Sequence, residues 1–204
     1  MINLEKGARI NLSKDAPELK RVRIGLGWDA NKFDSGTEFD LDASAFVCKM
    51  DASGAPKLLS DDYFVFYGST HISPDGFKSS PDNAVRHSGD NRTGAGDGDD
   101  ETMTVDLAAL TADASEISII VTIHKADERR QNFGQVSNSY IKLYDDETGK
   151  EIAKYALEDE FSTETAVQFG SLYKKDGHWL FKAVGAGFKK GLADFVRIYG
   201  GNLG

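Results

Sequence analysis

Apolar residues fall at every second position over much of this chain, in short runs. Val22, Ile24, Leu26 and Trp28 alternate with small or polar residues over 21–29, the period of a strand with one apolar side. In a second strand, over 39–49, Phe39, Leu41, Ala43, Ala45 and Val47 form one face and Asp40, Asp42, Ser44, Phe46 and Cys48 the other. From Ala45 to Cys48 both faces are apolar, so that half should be covered on both sides. Asp40 and Asp42 project from one face, about 7 Å apart, where the buried part begins. Residues 63–68 are a β-prone run, 69–83 a long polar loop with a turn at 73–76, and 84–87 a short strand. Met103, Val105 and Leu107 share a face over 102–107, and the isoleucines and valine of 116–124 read as a central strand.

Two hairpins follow, pairing 139–144 with 151–157 and 165–174 with 178–185; Asp176 and Gly177 are a strong turn signal in the second. Near the start, Ala8, Ile10 and Leu12 alternate briefly before a turn at 14–17. Residues 127–136 suggest one helical turn or two, and 159–163 a single turn. Helical spacing is sustained only at the end, where Phe188, Leu192, Phe195, Val196 and Tyr199 share a face opposite Lys190, Asp194 and Arg197. About nine short strands and one clear helix predict an all-β fold. The expected form is a β-sandwich of two mostly antiparallel sheets with a few short helices, including a C-terminal helix, in a single domain over 1–204.

Composition removes several function classes. The chain has 204 residues, 33 acidic and 24 basic, for a net charge of -9. No basic cluster offers itself to nucleic acid or to an anionic membrane surface. No apolar run reaches the roughly 18–20 residues of a membrane span, and the first residues lack the apolar core of a signal peptide, so a cytoplasmic location is expected. Cys48 is the only cysteine, which excludes an intrachain disulfide or thiolate cluster. His71, His87, His124 and His178 lack the spacing of a zinc site.

The excess charge is concentrated. Residues 89–101 hold five acids (Asp90, Asp97, Asp99, Asp100, Glu101) against Arg92, a net of -4; residues 29–42 hold Asp29, Asp34, Glu38, Asp40 and Asp42 against Lys32, also -4. Eight of the nine excess charges therefore lie in two short pieces. Four glycines in 89–101 allow tight turns that aim carbonyl oxygens inward. Hard anionic oxygens on a tight loop suit a hard cation, and calcium is the first candidate; an ordinary solvated turn is the alternative. Calcium takes about six to eight oxygens, so Asp29, Asp40, Asp42, Asp90, Asp97, Asp99, Asp100 and Glu101 suggest two neighbouring ions. The loop is not an EF-hand, because Arg92, Gly94 and Ala95 occupy positions that need other residues. Gly25-Leu26-Gly27-Trp28-Asp29-Ala30 only superficially matches a dinucleotide fingerprint, since a loop and not a helix follows. Its glycines are expected to serve a bulge or close sheet packing. No Gly-x-Ser-x-Gly elbow marks a hydrolase.

Three motifs in order, Gly25 to Asp29, Phe39 to Phe46 and Gly89 to Glu101, resemble the TerD family of bacterial tellurium-resistance and stress-response proteins. The stretches Val121 to His124, Arg129 to Val136, Ser162 to Ala166 and Phe181 to Gly185 agree with it, and the polar loop over 69–83 departs from it. The resemblance implies a calcium-binding β-sandwich with ligands in both acidic motifs, Asn91, Thr93 and Gly96 adding to the carboxylates. It implies a non-catalytic role as a calcium-dependent sensor or interaction module in tellurite and stress resistance. Expected partners are other Ter-family proteins, in a membrane-associated assembly, without direct membrane insertion. One cysteine gives the chain little means of reducing tellurite itself, so that role is expected to be indirect. The rival is a metal-dependent enzyme acting on a phosphate- or sugar-containing small molecule.

Overall fold

The computed structural model describes residues 2–3, 5, 7–12, 19–30, 37–95, 98–156 and 161–202. In chain order the strands are β1 (Ile2–Asn3), β2 (Arg9–Ile10), β3 (Arg21–Gly27), β4 (Leu41–Met50), β5 (Pro56–Leu58), β6 (Phe64–Val65), β7 (Lys78–Ser79), β8 (Val85–His87), β9 (Glu101–Asp106), β10 (Glu116–Ile123), β11 (Tyr140–Asp145), β12 (Glu151–Ala156), β13 (Ala166–Lys175) and β14 (His178–Phe188). Short helices among the described residues are α1 (Ala126–Arg129) and α2 (Leu192–Ile198). The first sheet runs β1-β12-β11-β3-β9-β8-β7 and the second β2-β14-β13-β10-β4-β5, with β6 also on β4. Every pairing is antiparallel except that of β1 with β12.

The alternation in the sequence decides what lies between the sheets. Val22, Ile24 and Leu26 of β3, Met103 and Val105 of β9 and Ile141 and Leu143 of β11 meet Leu41, Ala43, Ala45 and Val47 of β4 and Ile117, Ile119 and Val121 of β10 in one core. The other face of the second sheet is covered over β10 and β4, where Phe46, Cys48 and Ile120 pack beneath Phe195, Val196 and Tyr199 of the C-terminal segment. The rings of Phe46 and Tyr199 stack at 4.5 Å, and those of Phe46 and Phe64 at 4.7 Å. Burial in this apolar layer pushes the Cys48 thiol up to about 12, which makes it chemically inert at neutral pH.

Several expectations need correction. The described residues contain fourteen strands, not about nine, because short strands such as β1, β5 and β7 carry too few residues to print a period. In the β-prone run over 63–68 only Phe64 and Val65 join the sheet: Asp61–Tyr63 is a 3-10 turn and the Ser69 amide donates to the Phe66 carbonyl at 3.1 Å. The rings of Phe64 and Phe66 stack on each other at 4.4 Å, as part of a lid and not of an extended strand. The polar loop over 69–83 contains β7, folded back around the expected turn at 73–76. Phe188 ends β14 and is not helical; it meets Phe195 of α2 edge-on at 5.1 Å. The turn at 14–17 lies outside the described residues, as does the start of the one at 159–163, and residues 161–163 are not helical.

Candidate metal centre

The acidic loop enters from β8 and leaves into β9, both in the first sheet, while Asp40 and Asp42 stand at the start of β4 in the second. The two acidic segments therefore meet across the mouth of the sandwich. Carboxylate oxygens of Asp40, Asp42 and Asp90 lie within 4.8 Å of one another. Asp40 is only 6% exposed, and its Oδ1 is buried with no hydrogen-bond donor. Its Oδ2 faces Arg129 Nη1 at 3.5 Å. A buried carboxylate oxygen without a donor is costly, and a hard cation held between it, Asp42 and the exposed Asp90 removes that cost. The donor set is all oxygen and anionic, which fits calcium chemistry and not that of a soft metal.

Electrostatics points the same way. Burial, then Glu101, Asp40 and Asp90, push the Asp42 carboxyl up to about 8. Burial raises Asp40 as well, against the opposing pull of His124, Arg129 and Arg92. With no cation present, a proton takes the counter-charge role at Asp42.

The surrounding loop is built to hold this geometry. The Trp28 amide donates to Asp100 Oδ2 at 3.0 Å, and its indole Nε1 donates to the Phe39 carbonyl, also at 3.0 Å. Gly94 lies against that indole with φ +62°, where a Cβ would be both strained and in collision. Asn91 Nδ2 donates to Asp100 Oδ1 at 3.0 Å, while its Oδ1 accepts the amides of Thr93 and Gly94. Glu101 is buried: Oε2 accepts the Ala43 amide at 2.9 Å, and Oε1 accepts that of Asn91 at 3.3 Å. It thus ties loop and β4 together.

The predicted site residues therefore divide. Asp40, Asp42 and Asp90 converge. Asn91, Thr93, Asp100 and Glu101 shape the loop beside them. Asp29 accepts a hydrogen bond from Asn138 Nδ2 at 2.7 Å; burial first, then Asp99 and Asp29, raise Asp100. Asp99 turns to the outer face of the first sheet, where it meets Arg23 Nη1 at 3.1 Å and accepts from the hydroxyls of Tyr140 and Tyr144 at 3.2 and 3.1 Å. A Cβ on Gly25 would overlap its carboxylate, so that glycine provides space and not a bulge. Gly96 and Asp97 lie outside the described residues.

Two contributors carry little signal in the sequence. His87 is fully buried; its Nδ1 accepts the Gly89 amide at 3.0 Å, so its proton sits on Nε2, facing the Ala43 carbonyl at 3.2 Å and Glu101 Oε2 at 3.4 Å. The segment from His124 to Gln131 forms a third wall: the His124 amide donates to the Asp40 carbonyl, and Gln131 Nε2 to the carbonyls of Thr37 and Glu38. Lys125 and Arg130 within it adopt φ 51° and 54°, a conformation that non-glycine residues hold only where the surroundings impose it.

Known proteins share the sequence pattern and the fold. The TerD domain model matches residues 1–199. General stress protein 16U of Bacillus subtilis (strain 168) is 44% identical over 203 residues, spanning 100% of this chain and 99% of its own. Tellurium resistance protein TerD of Alcaligenes sp is 47% identical over 201 residues, 98% of each chain. A crystal structure of a telluride resistance protein homologue from Streptomyces coelicolor A3(2) superposes with a TM-score of 0.70 at 27% identity, covering 87% of this chain and 95% of that one.

Proposed function

The chain belongs to the TerD family, and from that premise we propose that it is a calcium-binding stress-response protein that works by binding and not by catalysis. Calcium joins the acidic loop to the start of β4, and the ordered surface that results is what a partner reads. The observation that carries this reading is the convergence of Asp40, Asp42 and Asp90 around a buried, donorless Asp40 oxygen. The relatives named for general stress and tellurium resistance support the biological setting. Partners of the same family, a cytoplasmic location and an indirect part in tellurite resistance belong to the proposal. Among the described residues no helix is long and apolar enough to cross a membrane.

The test is a thermal melt of chelator-treated protein, titrated separately with calcium and magnesium. A ligand that binds only the native state stabilises it by RT ln(1 + [L]/Kd), about 2.7 kcal/mol at one hundred times Kd. For a domain of this size that is a rise of roughly 5–11 °C. The expected result is such a rise with calcium and little with magnesium. No shift with either ion would sink the metal reading.

One observation favours a second reading, a metal-dependent enzyme for a phosphate- or sugar-containing molecule. A hollow of about 260 Å³, lined by Asp42, Tyr67, Thr122, His124, Lys125 and Thr165, opens beside the carboxylates. Calcium-dependent turnover of such a compound, lost in Lys125→Ala with calcium affinity retained, would favour the enzyme.

A further inference from the structure

The outer face of the second sheet is covered by α2 and aromatic rings over β10 and β4, a cover that reaches Ala166 of β13 and Phe188 of β14 and leaves the stretch around Lys182 of β14 and Arg9 of β2 bare. On the bare part, Arg9 of β2 and Lys182 of β14 are direct cross-strand partners. Both point outward, because their neighbours Ile10 and Phe181 fill the core. Lys182 stands opposite Ser171 of β13, and Ser171 opposite Ser118 of β10. Lys175 lies further along the same face of β13. Arg9, Lys175, Lys182, Gln168, Ser171 and Tyr173, with Glu116 and Val184, line a hollow of about 390 Å³.

Like charges placed directly opposite on paired strands destabilise the pair. The chain has 33 acids for 24 bases, yet among the described residues no carboxylate stands within ion-pair distance of Arg9, Lys175 or Lys182, whereas Arg21, Arg23, Arg86 and Lys142 all have one. The single acid of the hollow, Glu116, is occupied: its Oε1 accepts the hydroxyls of Ser118 and Ser171, each at 2.9 Å. Three cations and one acid leave the hollow at +2, on a molecule of net charge -9.

We propose that this hollow binds a small phosphate-type oxyanion between Arg9 and Lys182. A guanidinium fork pairs with two phosphate oxygens, and an ammonium meets the same group as a point charge. The Gln168 amide and the Tyr173 hydroxyl supply neutral donors on the wall. The anion turns a repulsive cross-strand pair into a bridged one. This site is independent of the metal centre and of the function proposed for it.

Inorganic phosphate and a phosphoryl group on a small molecule share this chemistry. The test therefore has two arms, run without added calcium so that no insoluble salt forms. The full chain is melted in sodium phosphate and in O-phosphoserine, each against sodium chloride at matched ionic strength and pH. The expected result is a melting temperature about 2–4 °C higher in phosphate than in chloride, lost in the double variant Arg9→Ala/Lys182→Ala. Lys182→Gln, which keeps the stem and removes the charge, replaces the alanine change if that variant folds poorly. Phosphorus-31 line broadening of the free anion by the wild type, absent with the variant, is the second readout. A response to inorganic phosphate alone assigns the free anion; a response to both assigns the phosphoryl group. A rise no larger than in chloride, or one that persists in the double variant, overturns the proposal.

Discussion

Asp42 and Asp99 are the same side chain in equally acidic stretches, and the fold gives them different surroundings. Asp42 is buried among other carboxylates and pushed up to about 8, whereas Asp99 is answered by Arg23 and two tyrosine hydroxyls. Asp42→Asn is therefore expected to weaken calcium binding at least tenfold, about 1.4 kcal/mol. Asp99→Asn is expected to cost stability, about 1–3 kcal/mol for a largely buried charged hydrogen-bonding group, with a smaller effect on affinity. Calorimetry and urea unfolding of both variants separate the two roles, and equal losses of affinity would contradict the division. Asp42 also sets a pH dependence for the metal-free protein. Below its ordinary value of 3.8 the group is protonated folded or unfolded. Between there and about 8 the unfolded chain releases the proton and the folded one keeps it, so stability falls as pH rises, and the loss is complete above about 8. The stability of chelator-treated wild type relative to Asp42→Asn should fall from pH 5 to 8.5, and added calcium should flatten that fall.

At the scale of elements, the strongest alternations were legible and the covering pieces were not. Strands β3, β4, β9 and β10 and both long hairpins stand where their period places them, because each has one face on a dry core. Phe188 fits a helical stripe in the sequence, yet the register of β13 with β14 pairs it with Ala166 and keeps it extended; tertiary pairing overrides a local pattern. Residues 63–68 misled for a related reason. Their aromatics look like strand residues, but the outer face of β4 needed a lid, and Phe64, Phe66 and Tyr199 supply it. That lid predicts a measurable cost. Phe195 is almost wholly buried between α2 and the sheet, so Phe195→Ala should lower the unfolding free energy by about 3–5 kcal/mol. A loss below about 1 kcal/mol in denaturant titration would mean that α2 is held mainly by other contacts.

For the whole molecule, the charge arithmetic points to the same two segments that meet in the candidate site, because eight excess charges in two short pieces share a compact fold only if something answers them. The arithmetic could not assign the answer residue by residue. Strand alternation says which face Asp42 takes, but no local pattern says that Asp99 crosses to Arg23 or that His87 stands behind Glu101. Those outcomes depend on which strands become neighbours. The sheet order has a further consequence for how the chain comes to be made. The edge of the first sheet is closed by β1 on β12 and that of the second by β2 on β14. Ile2 pairs with Ala153 and Arg9 with Lys182, so each of these early strands waits for a partner made more than 150 residues later. Until β12 and β14 have been made, β1 and β2 stand unpaired, and unpaired strands invite association with other chains. This protein is therefore most exposed to aggregation during its own synthesis, and most dependent then on whatever shields a nascent chain.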